Sequence, residues 1–169
     1  ADCPADGLFV PNCLHGSPPE TRYLPLFSTA TRPAPPGKAR LRMNLVDVAT
    51  GRPAAWAMVH VEYGGQELAA GLSGIDGALH VIFNYPEPPI ASPPSAFPWH
   101  WRIRLRAEYA TPAQGAPTIP SLCYVISQPP ARLLTDTSAS VELVESDLEF
   151  GRELVVTSEA KSHVLIEQA

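Results

Sequence analysis

Residues 48–83 indicate the fold class, and they read VATGRPAAWAMVHVEYGGQELAAGLSGIDGALHVIF. Apolar and polar residues alternate in the middle of this stretch, so that Val59 and Val61 share one face of an extended segment. A Gly-Gly pair then reverses the chain, and residues 78–83 alternate again. The stretch therefore predicts two β-strands joined by a glycine-rich turn, followed by a third β-strand.

Further alternating segments lie on both sides of this stretch. Residues 39–46 and 99–109 each place apolar side chains on one face and mainly arginines on the other, which is typical of half-buried strands. Shorter apolar runs predict more strands at residues 122–126, 141–144, 153–158 and 163–166. About seven or eight short strands with turns between them predict an all-β chain, folded as a single antiparallel β-sandwich.

Proline divides the chain into regions. The 20 prolines among 169 residues are more than twice the roughly 5% of an average protein, and proline is rare inside helices and central strands. Residues 1–37 are predicted to form a proline-rich, largely irregular N-terminal arm. The sandwich is predicted at residues 38–169, with a proline-rich loop at residues 86–98.

The charge and hydropathy of the chain exclude two classes of partner. A formal net charge of −5 makes nucleic-acid binding unlikely, because nucleic-acid-binding domains are usually strongly basic. No apolar run approaches the roughly 18 residues of a transmembrane helix, so we predict no membrane span.

The cysteines leave two alternatives open. In an exported protein we expect a disulfide between Cys3 and Cys13, with Cys123 buried in a strand as a small apolar residue. In a cytosolic protein all three would be reduced thiols.

No residue pattern predicts catalytic chemistry or a metal site. Ser73 lies in Gly-Leu-Ser-Gly, but a nucleophile elbow needs another glycine where Ile75 stands and a helix after it. His60, His80 and His100 lie on the outer faces of predicted strands, where surface histidines are a simpler interpretation than zinc ligands. We therefore expect no catalytic residue, no metal and no cofactor.

The outer faces of two strands carry a predicted basic strip. A guanidinium pairs bidentately with carboxylate, sulfate or phosphate, so such a strip could bind an anionic glycan or an acidic partner surface. The alternative is a solvated sheet face balanced by glutamates such as Glu62 and Glu108. The strip consists of Arg40, Arg42, His100, Arg102, Arg104 and Arg106.

Aromatic residues flank the proline-rich loop at residues 86–98. Tyr85, Phe97 and Trp99 lie at or near its ends. A stiff loop with aromatic side chains loses little entropy on docking, which favours a protein contact. The alternative is that the loop covers an open end of the sandwich.

The turn chemistry of residues 46–83 resembles the carboxypeptidase regulatory-like family, which has a transthyretin-like (prealbumin-type) sandwich. The matching residues are Val46-Asp47, Thr50-Gly51-Arg52-Pro53, Ala57 to Val61, and Asp76-Gly77 to Val81. The resemblance implies a transthyretin-like fold and a module that is typically non-catalytic and packs within larger assemblies.

A second resemblance is to small bacterial proteins associated with phage-tail-like contractile injection particles. It rests on residues 85–89, 122–123, 128–131 and 151–154. It implies a bacterial protein. The compartment stays open between an extracellular or periplasmic location and assembly in the cytoplasm into a particle.

Together these features predict a non-enzymatic structural or protein-interaction module of a larger bacterial assembly. Its proline-rich segments would contact the protein partner. The alternative is a secreted or periplasmic module that binds an anionic glycan through the basic strip.

Overall fold

The chain is almost entirely β-structure. A computed structural model describes residues 27–29, 32–88, 98–112, 119–135, 142–158 and 161–169. Within those residues there are nine strands and one short helix. They are β1 Lys38–Asp47, β2 Met58–Tyr63, β3 Gln66–Leu72, β4 Ala78–Asn84, β5 His100–Glu108, α1 Leu122–Ile126, β6 Pro130–Leu134, β7 Glu145–Glu149, β8 Glu153–Val156 and β9 Val164–Gln168.

The strands form one curled, mixed sheet. Its hydrogen-bonded order is β3-β2-β5-β6-β9-β1-β4, and in addition β7 pairs with β5 and β8 pairs with β1. Strand β1 runs parallel to β8 and β9, whereas the other paired strands are antiparallel. The predicted all-β class is confirmed. The purely antiparallel sandwich is not, because β8 and β9 return to β1 in the same direction.

Alternation along the strands builds the core as predicted. Strand β1 buries Leu41 and Met43 while Arg42 stays exposed, and β5 buries Ile103 between exposed arginines. Burying one such aliphatic side chain stabilises the fold by about 1.5–3 kcal/mol. The buried side chains of β1, β2, β4 and β5, together with those of β6 to β9, form a single hydrophobic core.

A tight turn connects β3 to β4. Gly77 has φ 75°, a conformation that favours glycine, and its N–H donates to the Gly74 carbonyl at 3.0 Å. Asp76 Oδ1 accepts the N–H of Ala78 at 3.0 Å, which is an Asx turn. The predicted Asp-Gly turn is therefore present, although it joins strands that do not pair with each other.

Two predictions for the C-terminal half are wrong. Residues 122–126 form helix α1 instead of a strand, because Ser121 caps it by accepting the N–H of Tyr124 at 3.2 Å. The strand predicted at residues 141–144 lies further along, at Glu145–Glu149. Strand β6 was not predicted, since it opens on Pro130 directly after another proline.

Cys123 also differs from its prediction. It lies in α1, not in a strand, and it is disulfide-bonded. Cys3 and Cys13 themselves lie outside the described residues.

Several predicted features fall outside the described part of the chain. They are residues 1–26 of the N-terminal arm, residues 89–97 of the proline-rich loop, and with them Phe97. Of the arm, residues 27–29 and 32–37 are described, and β1 begins at Lys38, the predicted start of the body.

Candidate functional site

Carboxylates surround the last arginine of the predicted basic strip. Arg106 Nε lies 3.2 Å from Glu62 Oε1 and its Nη2 3.7 Å from Glu67 Oε2, and its Nη1 also pairs with Glu108. Burial lowers the pKa of Arg106, but the hydrogen bonds to Glu108 and Glu62 outweigh this effect and leave that pKa above its ordinary value. Arg106 is thus a permanent cation whose charge is already matched within the sheet.

The rest of the predicted strip is divided between two strands that do not pair. On β5, Arg102 Nε lies 3.7 Å from Glu145 and 3.8 Å from Asp147. On β1, Arg42 Nη2 lies 3.5 Å from Glu153. Strands β1 and β5 are not hydrogen-bonded neighbours, and His100 lies exposed at the start of β5.

Two cations of the strip differ from the others. Within the described residues, no carboxylate forms an ion pair with Arg40 or Arg104. Arg104 is exposed on β5, whereas Arg40 is half-buried on β1 and lines a cavity. Carboxylates therefore balance much of the strip, and Arg40 stands out by its surroundings.

Two of the three histidines, His60 and His80, are buried instead of lying on the surface as predicted, whereas His100 is exposed. His60 is 7% exposed and His80 is 5% exposed. His60 Nδ1 lies 2.8 Å from Glu67 Oε2, and His80 Nδ1 lies 3.4 Å from the carbonyl of Thr29. The Nε2 atom of each imidazole is buried and has no hydrogen-bond partner among the described residues, although His60 Nε2 lies 3.6 Å from Glu108 Oε1.

The three histidines also lie on different strands. His60 is on β2, His80 on β4 and His100 on β5, and β4 pairs with neither of the other two. Within the described ranges, no group of three His, Cys, Asp or Glu side chains is arranged to hold a metal ion. In the same part of the chain, no helix has the length and apolar character needed to cross a membrane.

Ser73 has a structural role. Its side chain is buried, and its Oγ accepts the N–H of Ala57 at 2.9 Å and donates to the Ala54 carbonyl at 2.6 Å. These two hydrogen bonds connect the end of β3 to the segment that leads into β2. Both hydrogen-bonding functions are occupied, which agrees with the turn interpretation of this serine.

Four aromatic rings of the described residues lie together at the end of the sheet where β7 turns into β8. Tyr85 and Phe150 lie closest, with ring centroids 4.8 Å apart, and Trp101 lies 5.4 Å from Tyr85. Trp99 is 5.5 Å from Phe150 in an edge-on arrangement. Such aromatic pairs contribute about 0.5–1.5 kcal/mol beyond the area that they bury.

Hydrogen bonds hold the described ends of the proline-rich loop against these rings. Trp101 Nε1 donates to the Glu87 carbonyl at 3.1 Å, and the N–H of Phe150 donates to the Trp99 carbonyl at 2.8 Å. The N–H of Gly151 donates to the Tyr85 hydroxyl at 3.0 Å. The aromatic cluster thus covers the end of the sheet and also fixes where the loop begins and ends.

A cavity of about 280 Å³ opens beside this cluster. We call it the cationic cleft. Tyr85 and Phe150 contribute its aromatic wall, and a described part of the N-terminal arm lies opposite. Its lining residues are Ala34, Pro35, Pro36, Gly37, Lys38, Arg40, Tyr85, Phe150, Gly151 and Arg152.

The sequence predicted only part of this cleft. Arg40 and Tyr85 were candidate interaction residues, and a third, Trp99, does not line the cleft but packs edge-on against Phe150. Phe150 and Arg152 were not predicted, because the β7–β8 turn that brings them next to Arg40 depends on the pairing of β8 with β1. The only sequence signal was Gly151, which marks a turn between two short strands.

Comparisons with known proteins give a likeness of fold only. Neither a protein-family model nor a curated protein matches the sequence. Among solved structures, the chain is similar to Klebsiella pneumoniae 5-hydroxyisourate hydrolase, with 16% identity, a TM-score of 0.31, and coverage of 69% of this chain and 78% of that chain. That protein has a transthyretin-like fold, but at this TM-score the likeness carries no argument about the family of this chain. The expected resemblance to proteins of phage-tail-like particles is not shown.

This likeness corrects one expectation. The chain was expected not to be an enzyme, whereas the solved structure that it resembles is named as one. At a TM-score of 0.31 the likeness carries no argument about a reaction in this chain. The name of that structure contradicts the expectation that the chain is not an enzyme, and the likeness assigns no reaction to the chain.

Proposed function

We propose that this chain is a binding module, and that it holds a protein partner of a larger assembly at the cationic cleft. The observation that carries the proposal is Arg40. It is half-buried in the cleft and has no ion pair with any carboxylate of the described residues. A cation that is partly removed from water without a counter-ion is unfavourable, and a partner that supplies the counter-ion relieves this cost.

The surroundings of Arg40 support binding over a purely structural role. Arginine is enriched at the energetic centres of protein interfaces, together with Tyr and Trp. Here Arg40 lies beside Tyr85, which the aromatic cluster holds in place. Fixed aromatic and proline surfaces lose little entropy when a partner docks, so the site is preorganised.

The proposal is tested by capturing the partner with matched variants. The purified wild-type chain, Arg40→Ala and Arg104→Ala are each immobilised and incubated with native lysate of the source cells. Captured proteins are then quantified by mass spectrometry. Arg104 is the control because it is exposed on β5, forms no ion pair with a carboxylate in the described residues, and does not line the cleft. Its replacement removes the same charge at another place.

We expect one set of captured proteins to fall about tenfold or more with Arg40→Ala and to stay unchanged with Arg104→Ala. Equal capture by the wild type and by Arg40→Ala would overturn the role of the cleft. An equal loss with both variants would show that only net charge matters, which also contradicts the proposal.

A further inference from the structure

The chemistry of the cationic cleft identifies the kind of ligand that it can hold, and this inference rests on the proposed function. Three cationic side chains line the cleft, and their hydrogen-bond and ion-pair partners do not neutralise all of their positive charge. Lys38 Nζ donates to the neutral amide oxygen of Asn84, whereas Arg152 Nη1 lies 2.9 Å from Glu149 Oε2. One of the three charges is thus matched by a carboxylate.

The strand next to Arg40 does not supply the missing counter-ion. Glu153 of β8 lies opposite Arg40 in the parallel register of β1 and β8. Its Oε2 is instead 3.5 Å from Nη2 of Arg42, two residues further along β1. A ligand that enters the cleft must therefore bring negative charge to Arg40.

The remaining lining is apolar. Pro35, Pro36, Tyr85 and Phe150 form the walls, and no Asp, Glu, Asn or Gln side chain is among the described lining residues. The one side-chain hydroxyl, that of Tyr85, already accepts the N–H of Gly151. A ligand of this cleft therefore combines an anionic group with an apolar group.

This composition argues against a sugar. The hydroxyl groups of a glycan donate as well as accept hydrogen bonds, and a donor that is buried without an acceptor is unfavourable. The cationic side chains of the cleft are donors only. A carboxylate bound to Arg40 needs donors alone, and an apolar side chain needs neither donor nor acceptor.

The size of the cleft leads to the same ligand class. Pockets for whole small molecules have volumes of about 300–1,000 Å³. At about 280 Å³ the cleft lies just below that range, and it is open to solvent on one side. It therefore suits one or two side chains of a longer chain that continues outside.

We infer that the cationic cleft binds an acidic peptide segment of the partner. A glutamate or aspartate of that segment pairs with the guanidinium of Arg40, and a neighbouring apolar side chain packs against Pro36, Tyr85 and Phe150. Lys38 and Arg152 attract further carboxylates at the rim. Charge supplies the attraction, and the apolar walls select an acidic sequence that also contains a large apolar residue.

The test uses three defined probes with the full-length chain. The first is a fluorescein-labelled octapeptide of alternating glutamate and phenylalanine, and the second is the same peptide with glutamine in place of glutamate. The third is an oligosaccharide of galacturonate, which carries carboxylates on a sugar. Fluorescence anisotropy measures binding of the peptides, and displacement of the first peptide measures binding of the oligosaccharide.

We expect the glutamate peptide to bind and the glutamine peptide to bind at least about tenfold more weakly. Arg40→Ala should weaken the glutamate peptide to a similar extent, and Arg40→Lys should fall in between because lysine keeps the charge but loses the bidentate fork. Arg104→Ala should have no effect. Binding should also weaken as salt is raised, since the cleft is open to solvent.

Three results would overturn the inference. They are equal binding of the two peptides, an equal loss with Arg40→Ala and Arg104→Ala, and tighter binding of the oligosaccharide than of the glutamate peptide. The last result would assign the cleft to an anionic glycan instead.

The two proposals can fail separately. If partner capture depends on Arg40 but the glutamate peptide does not bind, the binding function stands and the ligand class is wrong. If the peptide binds at Arg40 but partner capture does not depend on Arg40, the ligand class stands and the proposed function fails.

Discussion

Tyr109 places its hydroxyl group in the core, where it donates to Asp47 Oδ2 at 3.1 Å. Asp47 is 2% exposed, and it also accepts the N–H of Ala49 at 2.9 Å and the hydroxyl of Thr50 at 3.0 Å. This carboxylate therefore connects the turn after β1 to the residue that follows β5. The sequence identified the Val-Asp and Thr-Gly turn residues, but it gave no sign that a tyrosine 62 positions away completes the network.

We expect Tyr109→Phe to destabilise the protein by about 1–3 kcal/mol at neutral pH, because Asp47 stays buried and loses one of its three donors. Urea unfolding measures this loss in free energy. Tyr124→Phe is the matched control, since its hydroxyl donates only to the Ala110 carbonyl at an exposed site. Tyr124→Phe should lower the free energy of unfolding by no more than about 0.5 kcal/mol. Equal losses in the two variants would contradict the role assigned to Asp47.

The same tyrosine predicts a dependence of stability on alkaline pH. Burial raises the pKa of Tyr109 above its ordinary value, and the charge of Asp47 and the hydrogen bond to it raise that pKa further. The folded state thus holds a proton that the unfolded chain releases near pH 10. The stabilisation is complete below about pH 10 and is lost as the pH rises towards the higher pKa of the folded state.

We expect the difference in the free energy of unfolding between the wild type and Tyr109→Phe to decrease as the pH rises from about 9 to 11.5. Urea unfolding of both proteins across this range measures it. A constant difference across that range would show that Tyr109 titrates alike in the folded and unfolded states.

At the scale of elements, local alternation and turn chemistry predicted most strands, because both are properties of neighbouring residues. Strands β1, β2, β4 and β5 lie within two residues of their predicted bounds. Strands β1 and β5 bury the predicted faces, whereas β2 and β4 also bury His60 and His80 on faces that were predicted to point outward. Helix α1 was not predicted, because its five consecutive apolar residues show neither the helical nor the strand period. The capping residue Ser121, and not the apolar pattern, favours the helix there. His60 was assigned to the surface because Glu67 and Glu108, which cover it, come from β3 and β5.

The turn between β3 and β4 provides a test at this scale. A Cβ atom at Gly77 would lie 2.3 Å from the carbonyl oxygen of Leu45, and φ there is 75°. Gly64 has φ 58° and nothing within 4 Å of such a Cβ atom. We expect Gly77→Ala to lower the free energy of unfolding by about 1–3 kcal/mol more than Gly64→Ala, which carries backbone strain alone. Equal unfolding midpoints in guanidinium chloride would show that β1 moves away without cost.

At the scale of the whole molecule, the pairing of distant strands could not be predicted from the sequence. The last strand, β9, lies between β6 and β1 and joins the two halves of the sheet. The apolar run at residues 163–166 indicates that a strand exists, but not which neighbours it takes. The cationic cleft was hidden for the same reason, because Arg40 and Phe150 meet only when β8 pairs with β1.

Because strand β9 joins the two halves of the sheet, we expect the sheet to unfold as one unit. Ile166 is 0% exposed, and its carbonyl accepts the N–H of Val48 at 3.0 Å beside the end of β1. We expect Ile166→Ala to lower the free energy of unfolding by about 2–5 kcal/mol, because it leaves a cavity where the two halves join. Ile119→Ala is the control, since Ile119 is 78% exposed and its loss should cost at most about 0.5 kcal/mol. Unfolding in urea, followed by tryptophan fluorescence and by circular dichroism, should show one coincident transition for both variants. Separate transitions in Ile166→Ala would mean that the halves of the sheet are stable without β9 between them.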